Sequence, residues 1–180
     1  MRIDLKHARA LAAILALVSL GVVACGNDEN DRTVKEGEAI ELGDLLYNVQ
    51  ITRFLTPADP EDAAYLEGEP DPPPGKAYLA VFMTVENQGD DTATVPGDFE
   101  IEDTRGDTYP SLSSDSPYAL KPGAQLGADD KLPAPGTPAA NGPIQGAMVL
   151  FLIVETATEN RPLELKIPSQ AGDGRVELDI

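Results

Sequence analysis

Few side chains in this sequence could act as nucleophiles or as soft metal ligands. The 180 residues contain one cysteine, Cys25, one histidine, His7, and no tryptophan. A single cysteine excludes an internal disulfide framework and a zinc site made of four thiolates. The remaining chemistry would come from carboxylates, because the chain has 31 Asp and Glu against 13 Lys and Arg.

The resulting formal net charge of −18 excludes nucleic acid as a partner. Proteins bind nucleic acid largely by neutralising phosphates with Lys and Arg, which releases the condensed counterions. A strongly acidic chain repels phosphates instead. We therefore expect no nucleic-acid partner.

The first 24 residues have the composition of an export signal. Three basic residues precede an apolar run from Ala10 to Ala24, which only Ser19 and Gly21 interrupt. The run is shorter than the roughly 20 residues of a membrane-spanning helix, and it lacks the polar face of an amphipathic one. A short apolar stretch between basic and small residues is typical of a cleaved signal peptide. We predict that residues 1–24 are removed.

The end of this segment resembles the lipobox of bacterial lipoproteins. In Val22-Val23-Ala24-Cys25, an aliphatic residue lies three positions before the cysteine and a small residue directly before it. Lipobox sequences more often have leucine at the position of Val22. The resemblance implies that the Cys25 sulfur receives a diacylglyceryl group, with acyl chains such as palmitate, and that cleavage leaves Cys25 as the new amino terminus. The alternative is an ordinary secreted protein with a stray cysteine near its cleavage site.

This processing would place the protein on the extracytoplasmic face of the cell membrane, anchored by lipid and not spanning the bilayer. His7 is lost with the signal, and the thiol of Cys25 becomes a thioether. Loss of three basic residues and one acidic residue changes the net charge from −18 to −20. The mature chain then lacks the side chains of a Ser-His-Asp or Cys-His site and of a His/Cys metal site. We predict a non-enzymatic protein without catalytic residues, metal or cofactor.

Clustered carboxylates support an alternative, a module that binds calcium or a small ligand. The clusters are Asp59/Glu61/Asp62, Asp90/Asp91, Glu102/Asp103/Asp107 and Asp129/Asp130. None of them has the spacing of a known calcium loop. Surface charge that keeps the protein soluble is the better interpretation. Arg105-Gly106-Asp107 spells an adhesion tripeptide, but a glycine between charged residues is also a common hairpin turn.

The elements that must position these residues begin after a tether. Residues 25–36 are polar and charged, and such a composition cannot bury enough apolar surface to offset its ordering entropy. We predict that this segment is a flexible tether and that the folded domain comprises residues 37–180.

Two strongly apolar segments predict the central strands of the domain. Lys76–Asn87 is apolar on both of its alternating faces, which indicates a central strand covered on both sides or one whose outer face is partly masked. Gly146–Glu155 is predicted to be a second apolar core strand. Shorter β-compatible segments are Ala39–Leu42, Tyr47–Thr52, Thr92–Val95, Phe99–Asp103, Thr108–Tyr109, Leu163–Ile167 and Val176–Ile180. About seven to eight strands without a convincing amphipathic helix predict an all-β, antiparallel, immunoglobulin-like β-sandwich.

Two long loops interrupt this pattern. Residues 56–75 contain six prolines and six carboxylates and no basic residue, and residues 111–143 are rich in Ser, Pro, Gly and Asp. We expect the first segment to be a long exposed loop and the second to be mostly loop, and we expect both to be the main contact regions. Tyr65 in the first loop is either a contact point or a residue of local packing, and local packing is favoured.

The domain is similar to a bacterial family of unknown function with a telokin-like, immunoglobulin-like β-sandwich, which includes relatives of a mycobacterial secreted immunogenic antigen. The matching segments are Tyr78–Asn87, Phe99, Asp103–Asp107 with Tyr109, Lys121-Pro122-Gly123 and Gly146–Val154. The resemblance covers roughly Gly37 to Ile180, and the insertion from Ala124 to Gly142 departs from it. The resemblance implies the same sandwich fold and an extracellular location, and it brings no catalytic residues.

These observations lead to one main functional hypothesis. The protein is expected to be a lipid-anchored, non-enzymatic module that binds or supports another component at the cell surface. Its partners are expected to be the membrane, through the lipid on Cys25, and a protein of the cell envelope or a secreted protein.

Overall fold

A computed structural model describes residues 32–180, so Cys25 and the predicted signal peptide lie outside the described residues. The strands are β1 (Arg32–Lys35), β2 (Ala39–Leu42), β3 (Leu45–Leu55), β4 (Lys76–Asn87), β5 (Ala93–Thr94), β6 (Glu100–Glu102), β7 (Thr108–Leu112), β8 (Gln125–Leu126), β9 (Lys131–Leu132), β10 (Ala147–Val154), β11 (Leu163–Ile167) and β12 (Gly174–Leu178). Two short helical segments are α1 (Pro138–Asn141) and a 3₁₀ helix (Glu155–Glu159). The predicted all-β fold is confirmed, with more strands in the described residues than the seven to eight expected.

Ten of the twelve strands described in residues 32–180 form two sheets that share β7, and β5 pairs with β8 in a separate two-stranded sheet. The first sheet has the order β1-β12-β11-β6-β7, and the second has the order β7-β10-β4-β3-β2, with β9 beside β4. Thr108 to Pro110 of β7 pair with β6, whereas Ser111 and Leu112 pair with β10. β7 therefore crosses from one sheet to the other. The pairs are antiparallel as predicted, except that β1 runs parallel to β12.

The main core fills the space between the sheets. The second sheet contributes alternate residues of β4, such as Leu79 and Val81, and the first sheet contributes Ile101, Leu165 and Val176. All five are fully buried. The period of two in these strands places their apolar residues on one face, so that burial of that face fixes the register.

The other face of the second sheet is covered as well. Tyr78, Ala80 and Phe82 of β4 pack in a second cluster with Tyr65 and Leu66 from the loop of residues 56–75. Residues from the segment after β7, including Tyr118 and Ile144, pack against the same cluster. β4 is therefore covered on both sides, as its sequence predicts. The two long loops form a third layer over this sheet, and the expectation that the first loop is exposed is wrong for Tyr65 and Leu66, which are buried.

The beginning of the domain also differs from the prediction. Arg32–Lys35, which the sequence places in the tether, form β1, and Val34 packs against the main core. The carboxylate of Glu36 accepts hydrogen bonds from the backbone N–H groups of Thr52 (3.0 Å) and Asp179 (3.2 Å). Residues 32–36 thus belong to the domain, because backbone pairing with β12 compensates for their polar composition. Between residues 32 and 180, no helix has the length and apolar character needed to cross a membrane.

Candidate interaction site

The second half of β3 has a free strand edge. β2 pairs with only Leu45–Asn48 of β3, whereas β4 pairs with β3 along nearly its whole length. Before β2, the chain crosses to the first sheet as β1. Consequently, residues 51–55 have β4 on one side and no strand on the other among residues 32–180.

Two carboxylates cap the ends of this free edge. Glu36 accepts the N–H of Thr52 at 3.0 Å, and Asp62 accepts the N–H of Thr56 at 2.9 Å. Because backbone N–H groups of a strand point to the same side at every second residue, the N–H of Phe54 also points away from β4. Within residues 32–180 this N–H has no hydrogen-bond partner. The C=O of Phe54 has only a long contact, 3.4 Å, with Nε of Arg53.

Large apolar side chains flank this edge on both faces of the sheet. Ile51 is 40% exposed and Phe54 is 39% exposed, and they are the exposed large hydrophobic residues of the described chain. Ile51 lies opposite Phe82 and therefore on the outer face of the sheet, whereas Phe54 lies opposite Leu79 on the core-facing side. Phe54 lines a groove of about 420 Å³ together with Pro57, Pro72, Lys76 and Thr158.

The loop beside the groove is acidic, whereas the groove itself is lined by one charge of each sign. Residues 56–75 contain six carboxylates and no basic residue, and the charged residues that line the groove are Lys76 and Glu155. Asp62 of this loop is buried, and it forms an ion pair with Arg53 in addition to its bond to Thr56. This ion pair holds the start of the loop against β3.

The outer face of the first sheet carries a different arrangement, a network of charges across three strands. Lys166 pairs with Glu102 (2.6 Å) and Glu100 (3.2 Å), and Arg175 pairs with Glu164 (2.8 Å) and Glu102 (3.2 Å). Hydrogen bonds from Lys166 and Arg175 lower the pKa of Glu102, and the bond with Glu102 raises the pKa of Lys166. Opposite charges on neighbouring strands compensate one another here, so we interpret this face as a solvated one.

The carboxylate clusters noted in the sequence do not converge on a common point. In residues 32–180, no group of three or more His, Cys, Asp or Glu side chains is arranged to hold a metal ion. Asp62 is paired with Arg53, Asp59 accepts the N–H of Glu61, and Asp130 accepts the N–H of Gly127. These oxygens are used in turns and in the ion pair.

Asp103 holds the hairpin that contains Arg105-Gly106-Asp107. Its Oδ1 accepts the N–H groups of Arg105 (2.9 Å) and Asp107 (3.0 Å), and its Oδ2 accepts Nδ2 of Asn160 (3.1 Å). Gly106 has φ +83°, a conformation that favours glycine at this turn. The tripeptide lies at an exposed tip, and a hairpin turn accounts for its residue types.

Tyr65 is a packing residue, and the favoured alternative from the sequence is correct. It is 3% exposed, its ring meets Phe82 edge to face at 5.3 Å between centroids, and its hydroxyl oxygen accepts the N–H of Ile144 at 3.1 Å. Burial raises the pKa of its phenol. Tyr65 is therefore too buried to act as the contact point that the sequence also allowed.

Sequence reasoning missed Phe54, because the alternating pattern that begins at Tyr47 changes phase within β3. A register shift between Val49 and Ile51 moves the following residues to the other face, and the strand continues to Leu55. The signal that could have revealed it is the continued run of β-formers, Ile51-Thr52 and Phe54-Leu55, beyond the predicted end at Thr52. The predicted lipidation site Cys25 lies outside the described residues.

The architecture defines a class, the two-sheet, mainly antiparallel β-sandwich. No protein-family model matches the sequence, and a comparison with curated proteins finds no match. Solved structures do share the fold. The secreted protein MPT63 of Mycobacterium tuberculosis has a TM-score of 0.55 and 15% identity over 83% of this chain and 98% of its own.

Two further solved structures have the same architecture. An uncharacterised β-sandwich protein of Clostridium difficile has a TM-score of 0.51 and 12% identity over 85% of this chain and 97% of its own. A candidate lipoprotein of Bacillus subtilis has a TM-score of 0.51 and 13% identity over 81% of this chain, which spans 39% of that protein. At these identities the likeness establishes the fold alone.

Proposed function

We propose that this protein is a lipid-anchored, non-enzymatic interaction module on the extracytoplasmic face of the membrane, and that it binds a polypeptide of the envelope or a secreted protein. The observation that carries the proposal is the free edge of β3, with Phe54 and the groove beside it. A sheet edge with an unpaired backbone and exposed apolar side chains is a surface that other chains can bind.

The state of the polar side chains supports a non-enzymatic role. Asp62 and Asp103, two buried carboxylates of the domain, are fully engaged in hydrogen bonds that hold a loop and a hairpin. In the first sheet, Lys166 forms an ion pair with Glu102 and Arg175 forms one with Glu164. Acid–base or nucleophilic catalysis requires such groups to be poised toward a substrate, and here they stabilise the fold.

The start of β1 sets the distance between the domain and the predicted anchor. Cys25 precedes Arg32 by seven positions, and seven residues span at most about 25 Å in any conformation. If Cys25 is acylated, the sandwich is held close above the lipid headgroups. A partner would then be a component that reaches the membrane surface, such as a neighbouring envelope protein.

The anchor is tested by Cys25→Ala, followed by cell fractionation and mass spectrometry of the mature amino terminus. We expect the native protein to be extracted from membranes by detergent with an acylated Cys25. We expect the variant to be released as a soluble protein or to remain unprocessed. A native protein whose residue 25 is unacylated would contradict the anchoring.

The interaction is tested by site-specific photocrosslinking in living cells. A photoreactive residue in place of Phe54 should form adducts with an envelope or secreted polypeptide, whereas the same residue in place of Glu177, on the charged outer face of β12, should form few. Absence of adducts at Phe54, or equal adducts at both positions, would contradict the proposed surface.

A further inference from the structure

The free edge of β3 also indicates what kind of segment it binds. We propose that the partner contributes an extended, basic peptide segment that adds to the second sheet as a strand beside Thr52–Leu55 and places an apolar side chain in the groove next to Phe54. This inference rests on the proposed function, and it adds the chemical character of the partner segment.

The backbone geometry favours an extended segment. Strand addition needs N–H and C=O groups that point out of the sheet and are not already paired. The N–H of Phe54 and the C=O of Thr52 meet this condition among residues 32–180. Beyond them, Glu36 and Asp62 occupy the N–H groups of Thr52 and Thr56, which limits the site to a short stretch. A helix has its backbone groups paired internally and could not use this edge.

The side chains add specificity to this backbone edge. Alternate side chains of an added strand point to opposite faces of the sheet. Those on the core-facing side would lie against Phe54 and the groove of about 420 Å³, which provide the apolar contact of the proposed site. Those on the other side would point to the outer face that carries Ile51, away from the groove. An apolar residue at every second position of the segment fits this arrangement.

Charge decides between a foreign segment and a second copy of this chain. Glu36 caps one end of the edge, and residues 56–75, which follow its other end, contain six carboxylates and no basic residue. Arg53 is paired with Asp62, Lys76 and Glu155 line the groove with one charge of each sign, and the whole chain has a formal net charge of −18. Pairing of two such edges would bring two acidic loops together, whereas a basic segment would be attracted to them. The occupant proposed is therefore a basic partner segment.

The test uses the probe peptide acetyl-Lys-Val-Lys-Val-Lys-Val-Lys-amide, its Glu-Val twin, and a Lys-Val twin that is N-methylated at alternate residues. The N-methylated twin keeps the charge and loses the N–H donors of one edge. Binding is measured by titration with the full chain and with Phe54→Ala and Ile51→Ala. Ile51 is the matched control, because it is equally exposed but lies on the opposite face.

We expect the Lys-Val peptide to bind, and we expect Phe54→Ala to weaken its affinity about tenfold while Ile51→Ala changes it less than threefold. We expect N-methylation to weaken binding at least about tenfold, and the Glu-Val twin not to bind. In the saturated complex, hydrogen exchange of the Phe54 amide should slow at least about tenfold. The comparison of the peptides and the hydrogen-exchange measurement use the native protein, so they do not depend on whether a variant folds.

Several results would overturn the inference. These are equal binding of the N-methylated or Glu-Val peptide, unchanged exchange of the Phe54 amide, and no binding of the Lys-Val peptide at millimolar concentration. A concentration-dependent dimer in which the Phe54 amide is protected without peptide would assign the edge to a second copy. Crosslinks from position 54 to an envelope polypeptide, together with failure of the peptide, would remove this inference and leave the proposed function standing.

Discussion

The hydroxyl of Thr52 is buried on β3, and no group of residues 32–180 forms a hydrogen bond with it. A hydroxyl that leaves water without gaining a partner lowers the free energy of unfolding, while the methyl group of the same side chain contributes to the core. At Thr52, beside the free edge, the methyl group therefore raises the free energy of unfolding and the hydroxyl lowers it.

Thr52→Val should raise the free energy of unfolding by about 1 kcal/mol, because it replaces the unpaired hydroxyl with a methyl group of similar size. Thr52→Ser is the matched control, because it keeps the hydroxyl and removes the methyl group, and it should lower the free energy of unfolding by about 1 kcal/mol. Urea unfolding at constant m-value measures both changes. A valine variant less stable than the native protein would show that the hydroxyl is satisfied in solution.

At the scale of elements, the third layer behaves as a part of the core and not as a pair of surface loops. Removal of residues 56–75 would expose Tyr78, Ala80 and Phe82 on the outer face of the second sheet. Deletion of this loop would therefore destabilise the fold, and a loss of binding in such a variant could not be assigned to the loop itself. Point substitutions at the free edge of β3 avoid this difficulty.

Tyr65→Ala should lower the free energy of unfolding by about 2–4 kcal/mol, because it leaves a cavity against Phe82 and Tyr118. Tyr65→Phe should cost about 1 kcal/mol, since it removes only the acceptor of the Ile144 N–H. Glu67→Ala, at an exposed position of the same loop, is the control and should have little effect. Equal stability of Tyr65→Ala and the native protein in urea would contradict the third layer.

The charge network of β6, β11 and β12 gives the stability of the first sheet a pH dependence. The pKa of Glu102 is lowered in the folded state, so its stabilising effect is present above its ordinary pKa and is lost as the pH falls through the lowered value. Lys166 has the opposite sign: its effect is present below its ordinary pKa and is lost as the pH rises through the raised value.

Glu102→Gln should therefore reduce the loss of stability between about pH 5 and pH 3, by less than about 1 kcal/mol because the pair is partly exposed. Glu41→Gln, at an exposed position on β2 outside the network, is the control. Chemical unfolding at a series of pH values measures the difference. A slope in Glu102→Gln as steep as in the native protein would show that the network contributes nothing measurable.

For the whole molecule, the strands that carry the core could be predicted because their apolar period is long and unambiguous. Lys76–Asn87 forms β4 with the predicted bounds, and its two apolar faces correctly indicate cover on both sides. The parts that could not be predicted depend on distant partners. β1 is polar and becomes a strand only because β12, at the other end of the sequence, pairs with it.

The candidate site was unpredictable for the same reason. A free edge is defined by which strand is missing, and the crossing of the chain from β1 to β2 is visible only in the folded structure. The register shift after Val49 also changes which side chains face the core. Local sequence patterns therefore identify the strands, but they do not determine which strands pair with one another.

If the protein is tethered through the proposed lipid on Cys25, the parallel pairing of β1 with β12 has a mechanical consequence. A pulling force along β1 is shared by the hydrogen bonds between Arg32–Lys35 and Gly174–Glu177, which would have to rupture together in shear. A force across the strand would instead unzip them one at a time, starting at Arg32. The first four residues of the sandwich would thus resist load along their axis and yield to load from the side.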